Sequence, residues 1–359
     1  MPRFTLPIRL VKKRTRSLSP VYICFVLLAF VYSFSGTHSI ATACASDAAF
    51  TVIPLGTKGG LTESDLSAYL VSTISKNNFI ALDAGTILDG LRRAEQSGSL
   101  NFIGIPTDSS VSPARMALQN HIKAYAISHS HIDHLAGMVI NSPDDTAKPI
   151  LGLPSTINNI RDHLFNWKIW PNFSNEGEGI RLNKYEYVRL KPAEEHQVTE
   201  TGLGITAYPL SHSKNYTSTA FLLRSTDDYL LYFGDVGPDE IEQSNKLQRV
   251  WESIAPLVRN KSLRGIFLES SFPSDHPDKL LFGHLTPYWM MKELYVLANL
   301  VDPLSPESAL HGLKIIVTHI KPSLNHNTDS SLLIMGQLNE LNDLNVEFIL
   351  PKSGKRFNL

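Results

Sequence analysis

The sequence predicts an α/β protein in which two β-sheets are covered by helices. Hydrophobic residues make up 43% and charged residues 19% of the 359-residue chain, which provides enough apolar side chains for a large core. Short apolar segments alternate with helical patterns from residue 48 to residue 359, without an internal repeat or a low-complexity segment. We therefore predict one compact domain over residues 48–359 rather than two domains.

The first 43 residues differ in composition from the rest of the chain. Six Lys and Arg side chains precede an apolar run, Val21–Phe34, and the small residues Ala41–Ala43 follow it. This order is typical of a secretory signal peptide, which we place at residues 1–43, with cleavage near Ala43 or Ala45. The apolar run is shorter than the span of about 20 residues that a membrane helix needs. The long basic region nevertheless leaves open the alternative that the leader is not cleaved and serves as a membrane anchor.

Cysteine usage and charge agree with export. The two cysteines, Cys24 and Cys44, lie in the leader and at the cleavage zone, so the mature chain would have no internal disulfide. Cys44 also leaves open the alternative that the protein is a lipoprotein, although Ala41 stands where a lipoprotein signal usually has leucine. The leader carries six of the 33 Lys and Arg and none of the 34 Asp and Glu, which leaves an excess of seven acids. We expect a secreted, periplasmic protein without a nucleic-acid partner, and without a membrane partner after cleavage.

Short apolar runs bounded by turn residues are predicted to be strands. In chain order they are Phe50–Leu55, Phe79–Leu82, Ala124–Ser128, Ile150–Leu153, Tyr187–Leu190, Ile205–Leu210, Thr219–Arg224, Tyr229–Phe233, Gly265–Leu268, Lys314–Thr318 and Val346–Leu350. Thr219–Arg224 and Tyr229–Phe233 should pair as a hairpin.

Segments with helical periodicity separate these strands. In chain order they are Ser64–Ser75, His134–Asn141, Ser155–Asn166, Pro238–Ala255, Thr286–Leu300 and Asp329–Asn342. The last two begin favourably, because Thr286 precedes a proline and Thr328 or Asp329 is a good N-cap residue.

One short loop concentrates side chains that bind metals. His129 and His131 follow the strand Ala124–Ser128, and Asp133 and His134 begin the next helix. In an irregular loop, side chains two residues apart can converge on one ion while the next pair turns to a second. Burying three histidines and an aspartate here without a metal would be costly. We interpret this cluster, HxHxDH, as part of a metal site.

Three further candidate ligands stand singly at strand ends. His212, Asp235 and His319 each follow a predicted strand. Alone, each has a simpler explanation, since a histidine at a strand end is usually solvated and an aspartate after Gly234 is typical of a turn. Functional groups at strand ends share one edge of the sheets, so we expect these three to join the HxHxDH cluster.

The sequence resembles a known family at these positions. The run HSHIDHLAGMVINSP, His129–Pro143, is similar to the signature of the class II cyclic nucleotide phosphodiesterases, which have the metallo-β-lactamase fold. ALDAGT at Ala81–Thr86, LYFGD at Leu231–Asp235, ESSF at Glu269–Phe272 and LFGHLTP at Leu281–Pro287 agree. The resemblance implies an αββα sandwich that hydrolyses 3′,5′-cyclic AMP, and also cyclic GMP, to the 5′-nucleotide.

The resemblance also implies two divalent metal ions with a bridging hydroxide between them. One ion would be held by His129, His131 and His212, and the other by Asp133, His134 and His319, with Asp235 bridging the two. Nitrogen and oxygen ligands favour zinc, with manganese and iron left open. A metal pair lowers the pKa of its shared water and clamps the oxygens of an in-line displacement.

Three residues are assigned a role in catalysis: His284, Glu269 and Asp133. His284 is the candidate proton donor to the 3′ leaving oxygen, positioned by Glu269; the order of the two is similar to the tRNA 3′-processing branch of this fold. The alternative role of His284 is to cap the start of a helix. Asp133 counts as both a ligand and a catalytic residue. Asp83 is expected to support the metal loop through hydrogen bonds.

Aromatic residues offer candidates for contacts to the substrate. The cluster Phe165, Trp167, Trp170 and Phe173 either stacks on the purine or, as its helical spacing favours, belongs to the core or a hydrophobic lid. Tyr216, just after His212, is a candidate contact to the phosphate, together with Asn215. The remaining histidines are expected to be structural or solvated.

The sequence leaves two alternative functions open. One is another hydrolase of the same fold, acting on a general phosphodiester, a lactone, a thioester or an RNA end; the export signal and acidic charge weaken RNA processing. The other is a secreted, non-catalytic metal-binding protein. The sequence makes no prediction of the oligomeric state.

Overall fold

Two sheets of seven strands each lie face to face within the described residues, which are 48–104, 110–325 and 328–359 of a computed structural model. The first sheet contains β1 (Phe50–Gly56), β2 (Ala68–Thr73), β3 (Phe79–Leu82), β4 (Ile122–Ala126), β5 (Lys148–Gly152), β6 (Tyr185–Arg189) and β14 (Phe357–Asn358). The second contains β7 (Glu195–Val198), β8 (Leu203–Ser211), β9 (Thr217–Ser225), β10 (Asp228–Phe233), β11 (Leu263–Glu269), β12 (Lys314–Thr318) and β13 (Glu347–Ile349).

The two sheets have matching topologies that bring several strand ends to one edge. The order is β14-β1-β2-β3-β4-β5-β6 in the first sheet and β13-β12-β11-β10-β9-β8-β7 in the second. β3 to β6 are mutually parallel, as are β10 to β13. β8 also runs parallel to β10, because β9 lies between them and is antiparallel to both. The loops after β8, β10, β11 and β12 therefore leave the second sheet at the same edge.

Helices cover the outer faces of the sheets. They are α1 (Leu88–Gln96), α2 (Pro113–Met116), α3 (Ala136–Asn141), α4 (Pro154–His163), α5 (Asp239–Glu242), α6 (Lys246–Arg259), α7 (Pro287–Val301), α8 (Pro306–Ala309) and α9 (Ser330–Glu340). None of the helices in these residues is long and apolar enough to cross a membrane.

Three hydrophobic layers hold the sandwich together. Between the sheets, aromatic side chains from both meet, as where the rings of Tyr69 on β2 and Phe267 on β11 approach edge to face at 5.2 Å. The outer face of the first sheet packs against α1, α3 and α4, and that of the second against α6, α7 and α9. The arrangement is the predicted αββα sandwich.

The strands were predicted well, and one helix prediction is wrong. Each predicted strand overlaps an observed strand, with shifts of up to two residues at its ends. The predicted helix Ser64–Ser75 is instead a loop followed by strand β2. All six residues of β2 are buried, because the strand pairs with β1 and β3 and is covered on one face by the second sheet and on the other by the outer hydrophobic layer. A short strand that is buried throughout has no polar face, so its periodicity cannot be told from that of a buried helix.

The predicted helix Pro238–Ala255 is divided into α5 and α6. The break is at Gln243, whose φ of 52° is left-handed and ends α5. Both predicted N-caps are observed: the Thr286 hydroxyl accepts a hydrogen bond from the backbone N–H of Trp289, and Asp329 caps α9. The sequence pattern did not reveal α1, α2, α8, β7 or β14. The predicted signal peptide, residues 1–43, lies outside the described residues.

Candidate active site

The structure brings all seven predicted metal ligands together at one edge of the sandwich. They lie on the loops after β4, β8, β10 and β12, in two groups whose donor atoms are within 4.8 Å of one another: His129, His131, His212 and Asp235 in one, and Asp133, His134 and His319 in the other. Residues almost 200 positions apart in the chain thus meet as the strand-end argument predicted.

The first group consists of three histidines and one carboxylate oxygen. His131 Nδ1 lies 3.2 Å from His212 Nε2. Oδ2 of Asp235 is 3.7 Å from His129 Nε2 and 3.8 Å from His212 Nε2. Four donor atoms therefore converge on one point.

The second group faces the other oxygen of Asp235. Oδ1 of Asp235 lies 3.2 Å from His134 Nε2 and 3.3 Å from His319 Nε2. The two histidine nitrogens are 3.2 Å apart, and Oδ2 of Asp133 is 3.3 Å from His319 Nε2. Each group thus meets its own oxygen of the Asp235 carboxylate, which is the arrangement that a bridging ligand requires.

The donor set fits divalent cations. Nε2 of His129 is fully buried and has no hydrogen-bond partner, which would be costly for a polar atom that binds nothing. Imidazole and carboxylate donors, without thiolate, suit zinc and similar ions. The second group is also closely packed: the backbone of Gly59 lies so near the His319 ring that a Cβ atom at this position would be 2.3 Å from it. Gly60 N–H donates to Asp133 Oδ2 at 3.1 Å.

Four of the five predicted ligand histidines are oriented by a hydrogen bond at the ring nitrogen that points away from the centre. Nδ1 of His134 contacts Asp83 at 2.8 Å, and Nδ1 of His212 contacts the Gly283 carbonyl at 2.8 Å. Nδ1 of His129 and of His319 contacts a serine hydroxyl, at 3.0 Å and 2.9 Å. Such partners fix the ring orientation and tautomer of a metal-binding histidine.

Asp83 supports the loop as expected. It follows β3 with a φ of 54° and is completely buried. Besides His134, its carboxylate accepts hydrogen bonds from the backbone N–H and hydroxyl of Ser128, at 2.7 and 2.8 Å, and from the Tyr232 hydroxyl at 2.7 Å. The backbone ahead of His129 is thereby tied to both sheets.

The electrostatics favour neutral histidines in the first group. Burial lowers the pKa of His212 to about 4 and, with the nearby His134, lowers the pKa of His129 well below its usual value. Burial would raise the pKa of Asp235, but His134 and His319 hold it well below the usual range. At neutral pH the first group therefore offers lone pairs and a carboxylate, which are the forms that bind cations.

His284 and Glu269 form a buried pair next to Asp235. Nδ1 of His284 lies 2.9 Å from Oε1 of Glu269 and 3.8 Å from Oδ2 of Asp235. Glu269 also accepts from the backbone N–H groups of Val236 and Leu285, at 3.0 and 3.3 Å. Burial would lower the pKa of His284, but the Glu269 carboxylate raises it. Since Thr286 caps α7, His284 does not take the alternative capping role.

The aromatic cluster belongs mainly to the core. Phe165 is completely buried under the first sheet, and Trp170 and Phe173 pack against the same layer. Trp167 is exposed, and its indole N–H donates to the carbonyl of Ile180. Of the two candidate phosphate contacts, Asn215 is exposed, whereas the ring of Tyr216 stacks on His131.

Sequence reasoning missed several groups that shape the site. The Ser271 hydroxyl contacts both His319 and Glu269, and Gly59 makes room for the His319 ring. Ser271 stands two residues beyond the end of β11, a position that could have been searched with the same strand-end argument. Gly59 carries no such signal, because its partner is 260 residues away.

Comparisons with known proteins point to one family. The family model for class-II cAMP phosphodiesterases matches residues 46–354. The chain is 43% identical to a 3′,5′-cyclic-nucleotide phosphodiesterase of Aliivibrio fischeri, over 88% of this chain and 94% of that protein. It is 39% identical to a probable 3′,5′-cyclic-nucleotide phosphodiesterase of Yersinia pestis, over 90% and 92% of the two chains.

Solved structures share the fold. The crystal structure of unliganded yeast PDE1 superposes with a TM-score of 0.77 at 25% identity, covering 87% of this chain and all of that one. The metallo-β-lactamase fold protein YhfI of Bacillus subtilis gives 0.52 at 16% identity, covering 86% and 99%. The predicted fold is thus confirmed. From the family match and these relatives, the chain belongs to the class-II cyclic AMP phosphodiesterases.

Proposed function

We propose that this chain hydrolyses 3′,5′-cyclic AMP, and cyclic GMP as a second substrate, to the 5′-nucleotide at a site for two divalent cations. The observation that carries the proposal is the position of Asp235, whose two oxygens each face a separate histidine group at 3.2–3.8 Å. One carboxylate between two groups of nitrogen donors is the arrangement expected for a pair of ions. The family and the names of its relatives support the substrate class.

The cations, when bound, would supply an activated water molecule and positive charge for the phosphate oxygens. The protein supplies the orientation of that charge. His129 and His212 are held neutral by burial, and His134 and His319 are fixed through Asp83 and Ser271. We take zinc as the metal because the donors are imidazole and carboxylate groups.

His284 would donate the proton that the 3′ oxygen needs when the P–O3′ bond breaks. Its Nδ1 is engaged by Glu269, so Nε2 is the nitrogen available to the leaving group. Burial would lower the pKa of His284, but Glu269 raises it, which favours the protonated ring that a proton donor needs. The general acid and its positioning group thus stand beside Asp235, where the phosphate would bind.

Charge supports a small anionic substrate. Two dications exceed the charge of Asp133 and Asp235, so the loaded site is locally positive, while the predicted mature chain has an excess of acids. A cyclic phosphodiester carries one negative charge and fits such a site. The predicted mature chain has no excess of Lys and Arg with which to release the counterions of a polyanion.

The test is to incubate the purified protein with cyclic AMP, cyclic GMP and bis(p-nitrophenyl) phosphate, with and without a chelator. We expect 5′-AMP and 5′-GMP as products, with activity lost on chelation and restored by Zn²⁺. A 3′-nucleotide product would contradict the position of His284. Hydrolysis of bis(p-nitrophenyl) phosphate without hydrolysis of either cyclic nucleotide would favour a general phosphodiesterase.

We further propose that the enzyme acts in the periplasm after removal of residues 1–43. The basic, apolar and small-residue order of the leader supports this proposal. Fractionation of a Gram-negative host that expresses the full chain should place activity in the periplasm, with a mature N-terminus at Cys44 or Ser46. Activity confined to the cytoplasm with an intact leader would refute it.

A further inference from the structure

One ligand histidine lacks the support that the others have. The other four ligand histidines each have a protein partner at Nδ1, whereas Nδ1 of His131 faces His212 in the centre. Its other nitrogen, Nε2, makes no hydrogen bond to any residue of the described ranges. His131 is also exposed, whereas the other four are buried. Apart from the contact of its Nδ1 with His212, the contacts of its ring within the described residues are with other rings: edge-on with His129 and His212, and stacked with Tyr216.

The ring of Tyr216 takes that place. It stacks on the His131 ring with centroids 4.5 Å apart and an angle of 10° between the planes. Parallel stacking at this distance is a favoured geometry for a pair of aromatic rings, and tilting the imidazole would give it up. The phenol ring therefore lies against the face of the imidazole whose Nδ1 points toward His212.

Tyr216 is itself held in two ways. Its hydroxyl lies 2.7 Å from the Ser130 hydroxyl, which also accepts a hydrogen bond from the side-chain amide of Asn159 on α4 at 2.9 Å. Its backbone carbonyl accepts from the N–H of His212 at 3.1 Å. Tyr216 thus joins the loop after β4, the loop after β8 and helix α4.

The contacts of Tyr216 are confined to one of the two ligand groups. Its ring centroid lies 5.9 Å from that of His129 and 6.0 Å from that of His212, both nearly perpendicular. Within the described ranges it makes no ring contact or hydrogen bond with Asp133, His134 or His319. A change at this position should therefore act on one ion and spare the other.

We propose that Tyr216 is a positioning residue that holds His131, and through it the cation of the first group, without affecting the second group directly. The inference rests on the two-cation site of the proposed function and adds a selective control of one of its ions. Removing the outer partner of a metal-binding histidine typically weakens metal binding by about 10- to 100-fold. We expect that loss for one ion when the ring is removed.

The experiment is a stepwise removal of Zn²⁺ from the loaded enzyme by a chelator of graded concentration, without nucleotide. In Tyr216→Leu, we expect one equivalent of Zn²⁺ to leave at a chelator concentration about 10- to 100-fold lower than in the parent. The second equivalent should leave as in the parent. Tyr229→Leu is the matched control, because Tyr229 is also half-buried but is the second residue of β10, at the end remote from Asp235.

Three results would overturn the proposal: unchanged release of both ions in Tyr216→Leu, an equal shift of both, or a parent that binds a single Zn²⁺. Tyr216→Phe keeps the ring and loses only the contact to Ser130, so it provides a test even if Tyr216→Leu folds poorly. We expect a loss of less than about tenfold there; a larger one would show that the hydroxyl, not the stacked ring, holds His131. A protein that releases its ions as predicted but cleaves no cyclic nucleotide would refute the proposed function alone.

Discussion

Replacing Glu269 by Gln tests the assignment of the leaving-group acid. The Glu269 carboxylate is almost completely buried and accepts four hydrogen bonds: its Oε1 from His284 and Val236, and its Oε2 from Ser271 and Leu285. Each oxygen therefore faces one backbone N–H. A glutamine has one accepting oxygen, so its amide NH₂ must face one of these donors in either orientation.

The magnitudes follow from these contacts. One buried backbone N–H left unsatisfied costs about 1–3 kcal/mol of stability. A hydrogen bond to a charged group contributes about 1.5–3 kcal/mol, and its loss at His284 corresponds to about 10- to 150-fold in kcat. The pKa of His284 must also fall, because the carboxylate that raises it is gone. The fall in activity toward high pH should therefore begin at a lower pH in Glu269→Gln than in the parent.

The assay compares two substrates. The 3′ oxygen of cyclic AMP needs a proton to leave, whereas p-nitrophenolate leaves without one. His284→Ala should lower kcat for cyclic AMP by about 10²–10⁴, and Glu269→Gln by about 10- to 150-fold, while both hydrolyse bis(p-nitrophenyl) phosphate nearly as fast as the parent and keep their metal. Because Glu269 acts through His284, the double variant should be no slower than His284→Ala.

Two results would refute this reasoning. Equal losses on both substrates would mean that the pair supports the metal site rather than the leaving group. Multiplicative losses in the double variant would mean that Glu269 acts independently of His284. The second result would leave His284 as the acid and remove only its coupling to Glu269.

Three further predictions concern the site and the stability of the fold. His131→Ala should abolish activity and lower the metal content measured by elemental analysis; a variant that keeps both would remove His131 from the ligand set. Gly59→Ala should displace the His319 ring, since the new Cβ would lie 2.3 Å from it. The folded variant should therefore bind Zn²⁺ more weakly than the parent. An affinity for Zn²⁺ equal to that of the parent would show that the loop moves to accommodate the methyl group without cost. Burial raises the pKa of Glu293 from 4.5 to about 6, so the parent loses stability as the pH rises through that interval, by about 2 kcal/mol. Glu293→Gln should lack this loss, and denaturant unfolding at pH 4 and 7.5 would show it; a difference between the two proteins that does not change with pH would contradict the raised pKa.

The sequence predicted those parts of the site that follow one local rule. His212, Asp235 and His319 could be placed near the HxHxDH cluster because each directly follows an apolar strand, and the parallel strands share an edge. The family resemblance supplied the pairing of Glu269 with His284, which the structure places at hydrogen-bond distance.

The parts that could not be predicted depend on contacts between distant segments. Gly59 and the stacking of Tyr216 on His131 acquire meaning only when separate loops meet, and neither residue type signals such a role on its own. Strand β2 was mistaken for a helix for a related reason, since burial on both faces removes the alternation that identifies a strand. Local pattern therefore predicts which strand ends carry the chemistry, whereas packing decides how the side chains are held.

The most direct test of the two-cation site is anomalous diffraction from crystals of the Zn²⁺-loaded enzyme, recorded at the zinc absorption edge. Two peaks about 3.5–4 Å apart are predicted, one beside His129, His131 and His212 and the other beside His134 and His319, with one oxygen of Asp235 toward each. A single peak, or two peaks that Asp235 does not bridge, would contradict it.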